Sequence, residues 1–179
     1  MTPTRWFGLA GAALFAGTLA GCAPLHVYSF VERGADVSRY RTYDWAVVRP
    51  QETGDPRLDS NPFFDDRLHD AVEKELAKRG FEKTDSAGAE LRLHYHVRIT
   101  QDIELGPADP NYGVCDTCRP TVFDAGTLLI DLMDSRTDKL VWRGWAEGGF
   151  DNAIDNQKLM EARIDEAVRK IFEKLPDKS

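Results

Sequence analysis

Basic side chains are in deficit in this chain, and residues that carry chemistry are few. Among 179 residues there are three cysteines, four histidines and three methionines. Lys and Arg number 23 against 30 Asp and Glu, for a formal net charge of −7. Nucleic-acid binders carry a basic stripe, and peripheral binders of anionic membranes carry basic clusters. The charge balance argues against both. No H-E-x-x-H, no G-x-S-x-G and no phosphate-cradling glycine loop occurs, so the familiar zinc-protease, serine-hydrolase and P-loop templates do not apply. Internal repeats and low-complexity tracts are also missing. What remains is enough aliphatic and aromatic residue for one folded core of ordinary size.

One apolar run stands out, residues 6–20, rich in Ala, Gly, Leu and Phe and preceded by the single charge of Arg5. A spanning helix needs about 20 apolar residues, and glycine weakens a permanent helix. The run therefore reads as the core of an export signal. It ends in Leu19-Ala20-Gly21-Cys22. A small pair followed at once by a cysteine resembles the lipobox of bacterial lipoproteins. The resemblance implies a signal peptide over residues 1–21, lipid on Cys22 (palmitate and related chains), a short tether over 22–26, and a single periplasmic domain over 27–179. Each buried methylene adds about 0.8 kcal/mol, so two or more acyl chains anchor stably. Ala23 follows the cysteine, where aspartate tends to mark inner-membrane retention in such proteins. That implies an outer-membrane anchor with the domain facing the periplasm. Loss of residues 1–21 removes only Arg5, leaving 22 basic against 30 acidic residues.

The rest of the chain alternates between two periodicities. Residues 27–31 read as extended. Residues 40–48, dense in aromatic and β-branched side chains, read as a strand. A helix follows, with Asn61 as cap, Pro62 at its first position and Asp65 and Asp66 at the positive end of its dipole. Phe64, Leu68, Val72 and Leu76 form its apolar stripe with Ala71 beside them, and Gly80 ends it. Residues 91–99 alternate strictly. Leu91, Leu93, Tyr95, Val97 and Ile99 take one face; Arg92, His94, His96 and Arg98 take the other. A loop from about 105 to 121 holds Cys115 and Cys118. Strands near 127–133 and 140–146 flank a polar turn at 134–138. A last helix starts near Asn156, carries Met160, Ile164, Val168, Ile171 and Leu175, and stops at Pro176. Three consecutive strands suggest an antiparallel meander, and each helix needs a surface for its stripe. The expected fold is α+β: a two-layer sandwich, mainly antiparallel, with both helices packed on one face of the sheet.

Four segments in this order carry a family likeness: Tyr40-Arg41-Thr42-Tyr43-Asp44-Trp45, Asp55-Pro56-Arg57-Leu58-Asp59, Gly126-Thr127-Leu128-Leu129-Ile130-Asp131-Leu132 and Lys139-Leu140-Val141-Trp142-Arg143-Gly144-Trp145-Ala146. Together they resemble the bacterial lipoprotein family that carries the domain of unknown function 4136. The resemblance runs from about residue 27 to the C-terminal helix. It implies a small envelope lipoprotein of unassigned activity and supplies no catalytic residues. The cysteine loop is not part of the shared pattern.

The leads for chemistry are correspondingly thin. Cys115-Asp116-Thr117-Cys118 is a lone C-x-x-C. Redox enzymes set such a pair at a helix N-terminus, whereas here the chain leads on into a strand. A disulfide pinning the loop is the plainer reading, since disulfides persist in an oxidising compartment. His94 and His96 point the same way, as two metal ligands on a strand can; a solvated strand face explains them as well. Trp142 and Trp145 fall on opposite faces of their strand. One belongs to the core, and the other shares a face with Arg143. It is either exposed in a contact patch or covered by the N-terminal segment. The expected contact face is Arg92, His94, His96, Arg98, Arg143 and Trp145. The leading functional expectation is a non-enzymatic binding or structural module, anchored to the membrane by lipid and engaging an envelope protein or other component, with no cofactor and no nucleic acid. The alternative is a metal-binding or thiol-redox protein using His94 and His96 or Cys115 and Cys118.

Overall fold

Alternation in the central strands organises the structure. The computed structural model describes residues 24–47, 52–59, 61–85, 87–104, 121–150 and 153–177. Cys22, Cys115 and Cys118 lie outside the described residues. The elements are β1 (His26–Val31), a 3-10 turn (Val37–Arg39), β2 (Thr42–Trp45), α1 (Pro62–Lys78), β3 (Glu82–Lys83), β4 (Leu91–Glu104), β5 (Thr121–Asp134), β6 (Leu140–Gly149) and α2 (Gln157–Phe172). They form a mixed α/β fold with one open six-stranded sheet in the order β1-β6-β5-β4-β2-β3. The three consecutive strands β4, β5 and β6 pair antiparallel, and β1 joins β6 antiparallel at one edge. At the other edge β2 lies parallel to both β4 and β3.

Local chemistry sets the helix ends. The Asn61 carboxamide oxygen accepts from the backbone N–H of Phe63 and Phe64, at 3.1 and 3.4 Å, and Pro62 follows where a missing N–H costs nothing. At the far end Gly80 takes φ +71°. Its N–H bonds to the Ala77 carbonyl at 3.0 Å, and the Phe81 N–H bonds to that of Leu76 at 3.1 Å. This is a Schellman stop, and it delivers the Phe81 ring into the core beside Leu76. Asn156 caps α2 by accepting from the Leu159 N–H.

Five strands differ from the sequence expectation. The strand expected over 40–48 has only four residues, because Asp36 caps a 3-10 turn just before it and Tyr40 closes that turn on the Val37 carbonyl. β4, β5 and β6 run on to Glu104, back to Thr121 and on to Gly149, since paired backbone continues where the hydrophobic alternation has already faded. β3 was not expected, and two residues are too few to show a period. It is held by the Glu82 N–H on the Arg41 carbonyl and the Thr84 N–H on the Tyr43 carbonyl, both 2.9 Å.

A single core draws on Leu91, Leu93, Tyr95, Val97 and Ile99 of β4, Ile130 and Leu132 of β5, Trp142 of β6, and the apolar stripes of both helices. Gly144 is needed for this packing. A Cβ there would lie 2.3 Å from Trp142 Cη2 and 2.6 Å from Ile171 Cγ2. Gly144→Ala is expected to lower stability by about 1–3 kcal/mol through overpacking. Gly80→Ala meets no atom within 4 Å and should cost about 1 kcal/mol for its left-handed conformation alone. Urea midpoints at constant slope distinguish the two.

Candidate functional site

Strand register decides which side chains share the face away from the core. Directly paired residues in an antiparallel sheet point the same way. One cross-sheet row is His94–Asp131–Arg143–Phe30, and the next is His96–Leu129–Trp145–Tyr28. A third is Arg98–Thr127–Glu147–His26, and Arg92 pairs with Met133. All six expected contact residues therefore lie on one surface. Arg92, His96 and Arg98 are exposed, while His94, Arg143 and Trp145 are half-buried.

Two residues of this surface had no sequence signal that set their facing. Tyr28 and Phe30 on β1 are 46% and 48% exposed, although each is large and apolar. Residues 27–31 are too short a segment to fix which alternate set turns inward. The Tyr28 ring stacks on Trp145 at 5.3 Å between centroids and 27° between planes. Trp145 is thus partly covered by the N-terminal strand and still reaches solvent, so both readings of it hold in part. Its indole N–H donates to Glu147 Oε1 at 3.2 Å.

Beside this aromatic pair sits an ion pair. Arg143 Nε and Nη2 donate to the two oxygens of Asp131, each at 2.7 Å. The carboxylate is nearly inaccessible, while 41% of the Arg143 side chain meets solvent. The paired charge holds the Arg143 guanidinium above its ordinary pKa. The β5–β6 register sets the two residues directly opposite each other.

His94 and His96 both project from this face. Among the described residues no group of three His, Cys, Asp or Glu is placed to hold a metal ion. A different histidine occupies a more structured site. The His69 ring of α1 stacks on Trp45 at 4.0 Å, and Tyr95 meets both rings edge-on. Burial pulls the His69 pKa down, against the opposing pull of Asp65 and Glu73. Glu73 accepts from the Trp45 indole at 2.9 Å and from Lys83 at 2.5 Å, and Asp65 accepts from the Tyr95 hydroxyl at 2.8 Å. The i, i+4 spacing of Asp65, His69 and Glu73 was a readable sign that these three share a helix face.

The family-like segments find structural work in this arrangement. Arg57 grips Asp55 in a fork at 3.0 and 2.6 Å and reaches Asp155 at 2.8 Å. It thereby ties the loop before α1 to the loop before α2. The Tyr40 hydroxyl donates to Asp134 Oδ2 at 2.9 Å. Asp134 also accepts from the Thr137 and Arg136 backbone N–H and from the Thr137 hydroxyl.

The model of one family matches residues 27–177 and so takes in all four segments. The chain belongs to the family described as "Domain of unknown function (DUF4136)". A DUF4136 family protein from Bacteroides thetaiotaomicron is similar in structure, with TM-score 0.52 and 12% identity over 87% of this chain and 97% of that one. A PelC dodecamer from Paraburkholderia phytofirmans is similar at TM-score 0.50 and 11% identity, over 87% of this chain and 100% of that one. A PDZ domain protein from Parabacteroides distasonis matches at TM-score 0.54 and 12% identity; this DUF4136 chain covers 36% of that longer protein while 86% of its own length is aligned. These identities speak to fold alone. No curated protein matches by sequence.

Two outcomes follow from the ion chemistry. Arg143→Ala strands the Asp131 carboxylate and should cost about 1–2 kcal/mol in urea unfolding, less than a fully buried pair because Arg143 is partly in water. The Thr137 N–H and the other donors hold the Asp134 pKa down at about 2, from 3.8. That stabilisation is complete above the unfolded value and is lost as pH falls from about 4 through about 2. Urea midpoints measured down that range should show an acid limb that Asp134→Asn removes.

Proposed function

We propose that the protein is an envelope lipoprotein, held to the outer membrane by lipid on Cys22, whose periplasmic domain is a non-enzymatic binding or structural module. In this reading residues 1–21 are a signal peptide, 22–26 a tether and 27–179 the domain. The domain is a two-layer α+β sandwich with both helices on one face of the sheet and the other face available to a partner. One observation carries the proposal: the exposed aromatic surface starts on the first strand after Cys22. β1 begins at His26, four Cα steps and three intervening residues from the anchor. Such a tether reaches about 14 Å when fully extended. Tyr28, Phe30, Trp145 and Arg143 then lie within reach of other envelope components. Aromatics and arginine are the residue types that dominate protein contact patches. Among the described residues no helix is long and apolar enough to cross a membrane, so a lipid on Cys22 supplies the attachment in this reading. PelC assembles as a dodecamer, which makes a second copy one of the partners to test for.

Cell fractionation tests the anchor. The wild-type chain is expected in the membrane fraction with incorporated palmitate, and Cys22→Ala in the soluble fraction without label. Retention of the variant in the membrane would sink the anchor. A photoreactive residue at Tyr28 is expected to crosslink an envelope component or a second copy, whereas one at Lys158 on α2 is not. Silence at Tyr28 counts against the binding face.

A further inference from the structure

At the end of the sheet where β4 starts and β5 stops, three arginines from three separate segments line one cleft. Arg39 ends the 3-10 turn, Arg92 is the second residue of β4, and Arg136 lies in the turn after β5. The cleft holds about 620 Å3 and is lined mainly by polar atoms. Two carboxylates, Glu90 and Asp134, also line it, and both are already engaged. Glu90 Oε2 accepts from the backbone N–H of Arg41 and Thr42 at 2.5 and 3.2 Å. Asp134 is filled by the Tyr40 hydroxyl and by the donors of residues 136 and 137.

The guanidiniums are less committed. Arg92 donates from Nη2 to the Ser135 carbonyl at 2.8 Å and lies 3.7 Å from Asp138. Among the described residues, Arg39 and Arg136 have no side-chain hydrogen bond or ion pair. Both act electrostatically on the same Tyr40 phenol, pulling its pKa down against burial and Asp134. Arg39 also acts on Asp36, and Arg136 on Glu90; both guanidiniums line the cleft that Tyr40 lines. A guanidinium offers a planar fork of N–H donors that fits a tetrahedral or carboxylate oxyanion with two parallel bonds. Two such forks lining one cleft, neither held in a side-chain hydrogen bond, can close on one anion. The cleft stands on a chain of net charge −7, which repels large polyanions and leaves local attraction for a small anion.

We infer that the cleft between Arg39, Arg92 and Arg136 is a binding site for a small phosphate-type oxyanion. Arg39 and Arg136 grip the oxygens, and Arg92 adds a third positive charge from the start of β4. The site does not involve Cys22, and of the expected contact face it uses only Arg92. A free phosphate or monoester and the diester of a lipid headgroup share this chemistry, so the test uses both forms.

The full chain in maltoside micelles is titrated calorimetrically with inorganic phosphate, and separately with soluble glycerophosphoglycerol, against chloride at matched ionic strength. One saturable site per chain is expected. Tighter phosphate binding marks a free phosphate or monoester ligand, and tighter diester binding marks a headgroup. Arg39→Ala with Arg136→Ala should weaken the better ligand by about tenfold or more, the loss expected for removing charge-assisted hydrogen bonds. Arg39→Lys with Arg136→Lys keeps the charge without the fork. It should fall between wild type and the alanine pair, and it serves as the test should the alanine pair fail to fold. Arg169→Ala on α2, outside the cleft, should change nothing. The inference is overturned if neither ligand gives saturable heat above chloride. It is also overturned if a folded double variant binds as wild type does.

Discussion

Fourteen residues of β4 lie antiparallel against fourteen of β5, and the rest of the structure hangs on that pairing. A period of two along both strands sorts every side chain to one of two faces, and a slip by one residue would exchange the faces. The register puts Leu93 opposite Leu132 and Tyr95 opposite Ile130 on the core side, and His94 opposite Asp131 on the other. β6 continues the order by setting Arg143 against Asp131. The bidentate ion pair is satisfied only in this register, so it checks the alignment as well as stabilising it. β1 then adds its aromatic side chains to a surface already defined.

Much of this was legible because the strongest signals were long and periodic. The nine-residue alternation in β4 gave its two faces without fault. Asn61 and Pro62 marked the start of α1, and Gly80 its end. The stripes of the two helices named most of their contribution to the core. Short elements were the illegible ones. β3 has two residues and β1 has six; neither is long enough for a pattern to overcome local noise. The parallel placement of β2 between β3 and β4 depends on contacts formed after the chain has crossed through α1, and no local residue announces them. Side-chain partners across long sequence distances, such as Arg57 with Asp155 or Tyr40 with Asp134, were equally out of reach. The same holds for the convergence of Arg39, Arg92 and Arg136, which are scattered in sequence and meet only through the turns that carry them.

The residues that mark the family are mostly structural in this chain. Tyr40 caps the turn after β5, Tyr43 fills the core, Trp45 covers His69, Arg57 ties two loops, and Asp131 pairs with Arg143. A shared pattern built from such residues fixes a scaffold and leaves its surfaces free to vary. That explains why family membership is plain while an activity is not attached to it. We propose that in this chain the aromatic face and the arginine cleft are the surfaces on which activity rests.

β1 has one more consequence. It is an edge strand whose six residues, His-Val-Tyr-Ser-Phe-Val, include no proline, lysine or carboxylate, and its ladder with β6 is unbroken. Soluble proteins usually blunt such edges with charge, proline or a bulge, because a bare row of backbone donors and acceptors recruits another strand. Strand recruitment is bimolecular, so its rate rises with the square of the free concentration. The edge therefore makes this fold sensitive to how densely it is packed. Chains in solution at high concentration meet from every direction, edge to edge.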